Sequence, residues 1–128
     1  MEMRVGDIIL CDAPTVDHKK YHICVLECGE DGSAACFLFI NSKQGWPGDC
    51  VFSNKDFPCL PPSKTGQSIV SLSYIIRYNK RQLRLFRAQK VGRLEKDIAR
   101  KLAAFAKNVP TLTEKERRIV LNGLAKVK

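Results

Sequence analysis

The sequence predicts a small α+β domain that is mainly β: a compact barrel or half-barrel of five to six short strands, followed by two C-terminal helices. Three observations carry this. A chain of 128 residues with 45% hydrophobic and 27% charged side chains has the size and composition of one packed domain. Residues 1–78 alternate short β-rich apolar runs with Gly, Pro, Asn and Asp punctuation. From residue 93 onward the apolar period changes to that of a helix.

Taken in order, Gly6-Asp7 opens a first strand, Ile8 to Cys11, which ends at the turn Asp12-Ala13-Pro14. Residues 15–20 form a polar loop, and 22–27 (HICVLE) read as a second strand. Gly29 to Ser33 supplies a tight hairpin connection to a third strand, 35–41 (ACFLFIN). The unbroken apolar character of that strand predicts burial on both faces. Residues 42–49 (SKQGWPGD) are a loop, 50–53 (CVFS) a short fourth strand, and 56–66, with three prolines and a glycine, a long ordered connection. Strand character resumes over 67–78. In 93–109, Leu94, Ile98, Leu102 and Phe105 make an apolar helical stripe, with Asp97 and Lys101 as an i,i+4 pair. Pro110 ends that helix. Thr113 and Glu116 then fit a capping box opening a second helix through Ile119, Val120 and Leu124. The expected organisation is a barrel with its helix over 1–109 and an additional helix, 110–128, packed on the same domain.

The net charge of +9 is unevenly placed. Residues 1–75 carry six basic and nine acidic side chains, a net −3, and residues 76–128 carry sixteen and four, a net +12. A basic half of this kind favours an anionic partner, nucleic acid first, with a solvated basic surface as the plain alternative. Six of the cations, Arg77, Lys80, Arg81, Arg84, Arg87 and Lys90, fall in one segment interleaved with Tyr78 and Phe86. Cations neutralise phosphates and exposed aromatics stack on bases. If Leu83, Leu85 and Phe86 are core, the cations merely decorate the outside.

No apolar run is long enough for a transmembrane helix or a signal-peptide core, so the expected compartment is the cytoplasm, without membrane contact. The six cysteines (11, 24, 28, 36, 50 and 59) are then expected to be reduced. They form no CxxC pair, and Cys11, Cys24 and Cys36 read as small buried hydrophobes rather than zinc ligands. Phosphate-loop, dinucleotide, zinc-protease and nucleophile-elbow motifs are absent. Both histidines lie in Asp17-His18-Lys19-Lys20-Tyr21-His22. RNA cleavage needs a base for the 2′-hydroxyl, an acid for the leaving oxygen and a cation for the phosphorane. His18 or His22 with Arg77 supplies those groups if the fold unites them. Otherwise His22 is a half-buried strand residue and His18 a loop residue in solvent. Trp46, between glycines and a proline, is either an exposed contact residue or folded over the barrel.

The order of segments resembles the PemK/MazF family of toxins over residues 4–107. The resemblance rests on Val5-Gly6-Asp7-Ile8-Ile9-Leu10, on Lys19-Lys20-Tyr21-His22 entering the second strand, and on Phe37-Leu38-Phe39-Ile40-Asn41-Ser42. It also rests on Gln67 to Leu72, on Asn79-Lys80-Arg81-Gln82-Leu83, and on Lys90-Val91-Gly92-Arg93-Leu94. It implies an SH3-like barrel, commonly a homodimer, acting as a growth-inhibiting toxin: an endoribonuclease that cuts single-stranded RNA without metal or cofactor. An acidic antitoxin would be its protein partner. On this reading His18, His22 and Arg77 are catalytic. Lys19, Lys20, Asn41, Ser42, Asn79, Lys80, Arg81 and Arg84 bind substrate. Three positions depart from the family pattern: Tyr21-His22 stands for Arg-Pro, Asn41 for Thr, and Asn79 for an acid. The first and last of these departures favour the alternative of a non-catalytic module binding nucleic acid or protein on the same fold. A third reading, a thiol-based oxidant sensor, rests on the cysteine count alone.

Overall fold

The computed structural model describes residues 2–128. Seven strands form one antiparallel sheet: β1 (Asp7–Asp12), β2 (Lys19–Leu26), β3 (Ala35–Asn41), β4 (Asp49–Ser53), β5 (Gln67–Ser71), β6 (Ile76–Tyr78) and β7 (Gln89–Arg93). The sheet order is β4-β5-β3-β2-β1-β7, and β6 pairs with the first half of β3. The α+β, mainly β class is thus as expected. Among the described residues no pairing joins β4 to β7, so the sheet is open where a closed barrel was anticipated. The pairing register shifts between Ile8 and Ile9 and between Cys24 and Leu26, as it does where an extra residue interrupts a ladder.

Both faces of the sheet are covered, which explains the apolar run of β3. On one face Ile8, Ile23, Val25, Leu38 and Val70 pack with Leu102, Val120 and Leu124 of α2 (Lys96–Asn108) and α3 (Glu114–Leu124). On the other, Ile9, Cys11, Cys24, Phe37 and Tyr78 pack under Leu83 of a short helix, α1 (Lys80–Leu85). Val120, Leu124 and Val127 join the same core as Val5 and Ile98, so the C-terminal segment is built into the domain. Gly123 makes this close packing possible: a Cβ there would collide with the Val25 carbonyl oxygen of β2. The Thr113–Glu116 capping box forms in both directions, at 2.9 and 3.1 Å.

Several boundaries differ from the sequence expectation. The run 67–78 is two strands, broken at Leu72–Ile75. The basic segment 77–90 contains α1, and β7 occupies 89–93, so α2 begins later than residue 93. Along the expected stripe Leu94, just before α2, and Ile98 and Leu102 within it are buried, but Phe105 is 36% exposed and Ala99 and Ala106 take the buried face. Asp97 pairs with Arg100 at 3.8 Å on an exposed face, and not with Lys101. Residues 27–34 between β2 and β3 make a longer loop than a tight hairpin, closed by Gly29 N–H donating to the Ser33 carbonyl at 3.0 Å.

The Gly6-Asp7 opening has a structural function. Asp7 is buried, and its carboxylate accepts from Arg93 at 2.5 Å, Lys90 at 3.1 Å and the Arg4 amide at 2.9 Å. Gly6 sits at φ +91°, where a side chain is disfavoured. The motif that opens the chain therefore locks β7 beside β1.

Candidate nucleic-acid interface

Antiparallel pairing of β2 with β3 puts Tyr21 opposite Ile40, so the entry of β2 and the exit of β3 meet at one end of the sheet. A groove of about 250 Å³ opens there, and His18, Lys19, Lys20, Asn41 and Ser42 all line it. Five residues marked in the sequence are thereby brought together from two segments some twenty residues apart. The Lys20 ammonium donates to Asn41 Oδ1 and lies 5.3 Å from the centroid of the Phe39 ring. Half-burial pushes the Lys20 pKa below its ordinary value, because the charged form loses water. Lys19 and Ser42 are exposed at the rim. His18 is also exposed, with Nδ1 3.3 Å from Asp17 Oδ1.

His22 does not reach the groove. It is fully buried, and its ring packs edge-on against Phe37 and Phe39. A carbonyl can only accept, so the Nδ1 that lies 2.9 Å from the Lys20 carbonyl carries the ring proton and donates it. Nε2 then accepts from the Tyr78 hydroxyl at 3.2 Å. Desolvation pushes its pKa down to about 4. A neutral, water-excluded imidazole bonded at both nitrogens has no route to a substrate proton. Its effect is to hold the backbone of Lys20 and to anchor Tyr78 of β6.

The remaining candidates lie elsewhere. Arg77 is opposite Cys36 at the start of β3, and Asn41 is five residues farther along, about 17 Å at the rise of a strand. Asn79 is the N-cap of α1: its Oδ1 accepts from Gln82 N–H at 2.8 Å, and Gln82 Oε1 accepts from Asn79 N–H at 2.9 Å. That reciprocal cap accounts for an asparagine at the position. Lys80 and Arg84 border a second, wider cavity of about 740 Å³, facing Glu27 and Glu30, and Arg81 is exposed on the same helix. The basic segment 77–90 and the groove are thus separate surfaces.

Sequence reasoning missed the far wall of the groove, where Leu60, Pro61, Pro62, Ser63, Gln67 and Ser68 face Lys20 and Asn41. The signal available was Ser53 and Asp56, which cap a single 3-10 turn at Asn54–Asp56 and start the ordered connection. Trp46 is 69% exposed and lies outside this groove. Asp49 Oδ2 accepts from the amides of Gly45 and Trp46 at 3.0 and 3.1 Å, so the turn that presents the indole is fixed.

Cys11, Cys24, Cys36 and Cys50 are buried, and burial pushes the thiols of Cys11 and Cys24 up to about 12 and that of Cys50 to about 11. Such thiols stay protonated and are poor nucleophiles. Among the described residues no group of three His, Cys, Asp or Glu is placed to hold a metal ion, and no helix is long and apolar enough to cross a membrane. No protein-family profile and no curated protein matches the chain.

Proposed function

We propose that the groove at the β2–β3 end binds single-stranded RNA and that the protein is a PemK/MazF-like endoribonuclease acting in the cytoplasm as a growth-inhibiting toxin. The observation that carries this is the meeting of His18, Lys19, Lys20, Asn41 and Ser42 in one groove with a partly desolvated ammonium at its centre. A scissile phosphate set against Lys20 is neutralised by a charge in reduced dielectric, where it acts more strongly than in water. Asn41 Oδ1 holds that ammonium in place, the Ser42 hydroxyl donates to a phosphate oxygen, and Lys19 holds the neighbouring phosphate. In the reaction, the 2′-oxygen attacks phosphorus and its proton passes to the His18 imidazole. The P–O5′ bond breaks and the leaving oxygen takes a proton from the Lys20 ammonium. The products are a 2′,3′-cyclic phosphate and a 5′-hydroxyl. A protein partner of acidic character would meet the +12 half, and a second copy of the chain would complete a homodimer.

A second reading, RNA binding without cleavage, is favoured by three observations: His22 is sealed in the core, Arg77 lies at the other end of β3, and Asn79 caps a helix. One experiment separates the readings. Purified protein is mixed with a pool of single-stranded RNA in EDTA at low and moderate salt. Fragments ending in 2′,3′-cyclic phosphate, with growth arrest on expression, are the expected result. Salt-sensitive binding without fragments selects the second reading. RNA that is neither retained nor cut at low salt refutes both.

A further inference from the structure

The wall of the groove opposite Lys20 takes no part in the chemistry above, yet it is held by a closed set of hydrogen bonds. Asn54 Nδ2 donates to Ser68 Oγ at 3.1 Å, and Asn54 Oδ1 accepts from Ser63 N–H at 2.6 Å. The Ser63 hydroxyl donates to the Gln67 carbonyl at 2.8 Å, and the Thr65 hydroxyl donates to the Ser42 carbonyl at 2.5 Å, tying the loop to the end of β3. These bonds fix Leu60, Pro61 and Pro62 as an apolar wall, stiffened by two prolines. Half-buried Tyr21 lines the same cavity.

Two side chains in this frame keep hydrogen-bonding capacity. Asn41 Oδ1 is taken by Lys20, which leaves Asn41 Nδ2 to donate. Gln67 is engaged through its backbone: its N–H donates to Thr65 Oγ1 at 3.3 Å and its carbonyl accepts from Ser63. Its half-buried amide has no partner among the described residues and carries a donor beside an acceptor. Side-chain amides read base edges bidentately, and single-stranded RNA is recognised by bases splayed out of the stack and bonded on their edges. The rim lysines supply the phosphate contacts that a peptide would not use.

We propose that this wall is a base-reading subsite: one unstacked nucleobase lies against Tyr21 and Leu60–Pro62, Gln67 pairs with its edge, and Asn41 donates to a further acceptor. Gln67 is then the residue that sets sequence preference. The inference rests on the RNA reading and deepens it. A cavity of this size admits one nucleotide, and a duplex would keep the base edge within its own pair.

The test is selection from a randomised single-stranded RNA pool in EDTA, with retained RNAs sequenced; where RNA is cut, the fragment ends are read instead. The wild type is expected to favour one base at one position by at least about tenfold, the discrimination of one good bidentate contact. Gln67→Ala flattens that position without changing the salt dependence of binding, since no phosphate contact is removed. Its thermal melt overlays the wild type because no side-chain hydrogen bond is lost. Gln67→Glu leaves only acceptors and moves the preference toward cytosine, whose N4 amino group donates. A preference that survives Gln67→Ala, or retention with no preference at any position, overturns the subsite and leaves RNA binding standing. Absence of retention at low salt overturns the RNA reading and the subsite with it.

Discussion

His22 is the residue whose meaning changes most between the sequence and the folded chain. As a letter beside Lys20 it is a proton carrier; in the fold it is a buried neutral ring bonded at both nitrogens. The consequence for stability can be signed. Its folded pKa is about 4 against an ordinary value of 6.5. Above pH 6.5 both folded and unfolded states hold it neutral, so it adds no pH dependence. As pH falls from 6.5 toward 4, the unfolded chain binds a proton that the native protein excludes, and stability drops by about 1.4 kcal/mol per pH unit, to a total on the order of 3 kcal/mol. His22→Gln keeps a donor and an acceptor but cannot titrate. Denaturant melts of the variant from pH 7 to 4.5 are expected to show a correspondingly shallower decline than the wild type. Equal slopes would show that His22 titrates normally and is not sealed. Lys20 illustrates the opposite case. It is one lysine among twenty-two cations in the sequence, and only the contacts with Asn41 and Phe39 distinguish it.

At the scale of elements, caps were the most legible feature and unpaired turns the least. Thr113 and Glu116 announced α3 because a capping box is local: its two bonds join residues three apart and need no tertiary partner. The same box at Asn79 and Gln82 was present in the letters but hidden by the charges around it. The end of α1 is less regular. Ala88 N–H donates to the Leu83 carbonyl at 2.9 Å and Arg87 N–H to the Arg84 carbonyl at 3.1 Å, a Schellman closure. Its left-handed position, usually glycine, is Arg87 at φ 57°. A non-glycine residue there costs about 1 kcal/mol. Arg87→Gly relieves that strain but also loosens the unfolded chain, so a net gain of a few tenths to about 1 kcal/mol is expected in urea unfolding. A loss of stability would show that the Arg87 side chain makes up more than its backbone costs. The strands followed the expected order because alternation and turn residues are local. The number of strands did not, because Leu72–Ile75 breaks one apolar run without a proline or glycine, and it is the pairing of β6 with β3 that sets the second piece apart.

For the whole molecule, the question is where the +12 of residues 76–128 goes. Part of it is structural: Lys90 and Arg93 neutralise the buried Asp7. Part lies on α1 at the larger cavity, and part on the exposed face of α2. The groove itself draws its cations from the acidic half of the chain. Removing the groove charges as Lys19→Gln with Lys20→Gln is therefore expected to lower the log–log salt slope of RNA binding by about 1.4, at about 0.7 per phosphate contact on a single strand. Arg100→Gln with Lys107→Gln, an equal change in net charge on α2, is expected to leave the slope nearly unaltered. Equal effects from the two pairs would mean that RNA is held by overall charge and not by the groove. The sequence by itself determined the α+β class, the run of strands before helices, the burial of Cys11, Cys24 and Cys36, and the cap of α3. Each follows from composition or from periodicities a few residues long. Only the tertiary structure decided that the sheet stays open, that Lys20 and Asn41 share a groove while Arg77 stands at the far end of β3, and that Gln67 faces them. Those facts depend on strand register and on which ends of distant strands coincide, and register is fixed by the packing of both sheet faces at once.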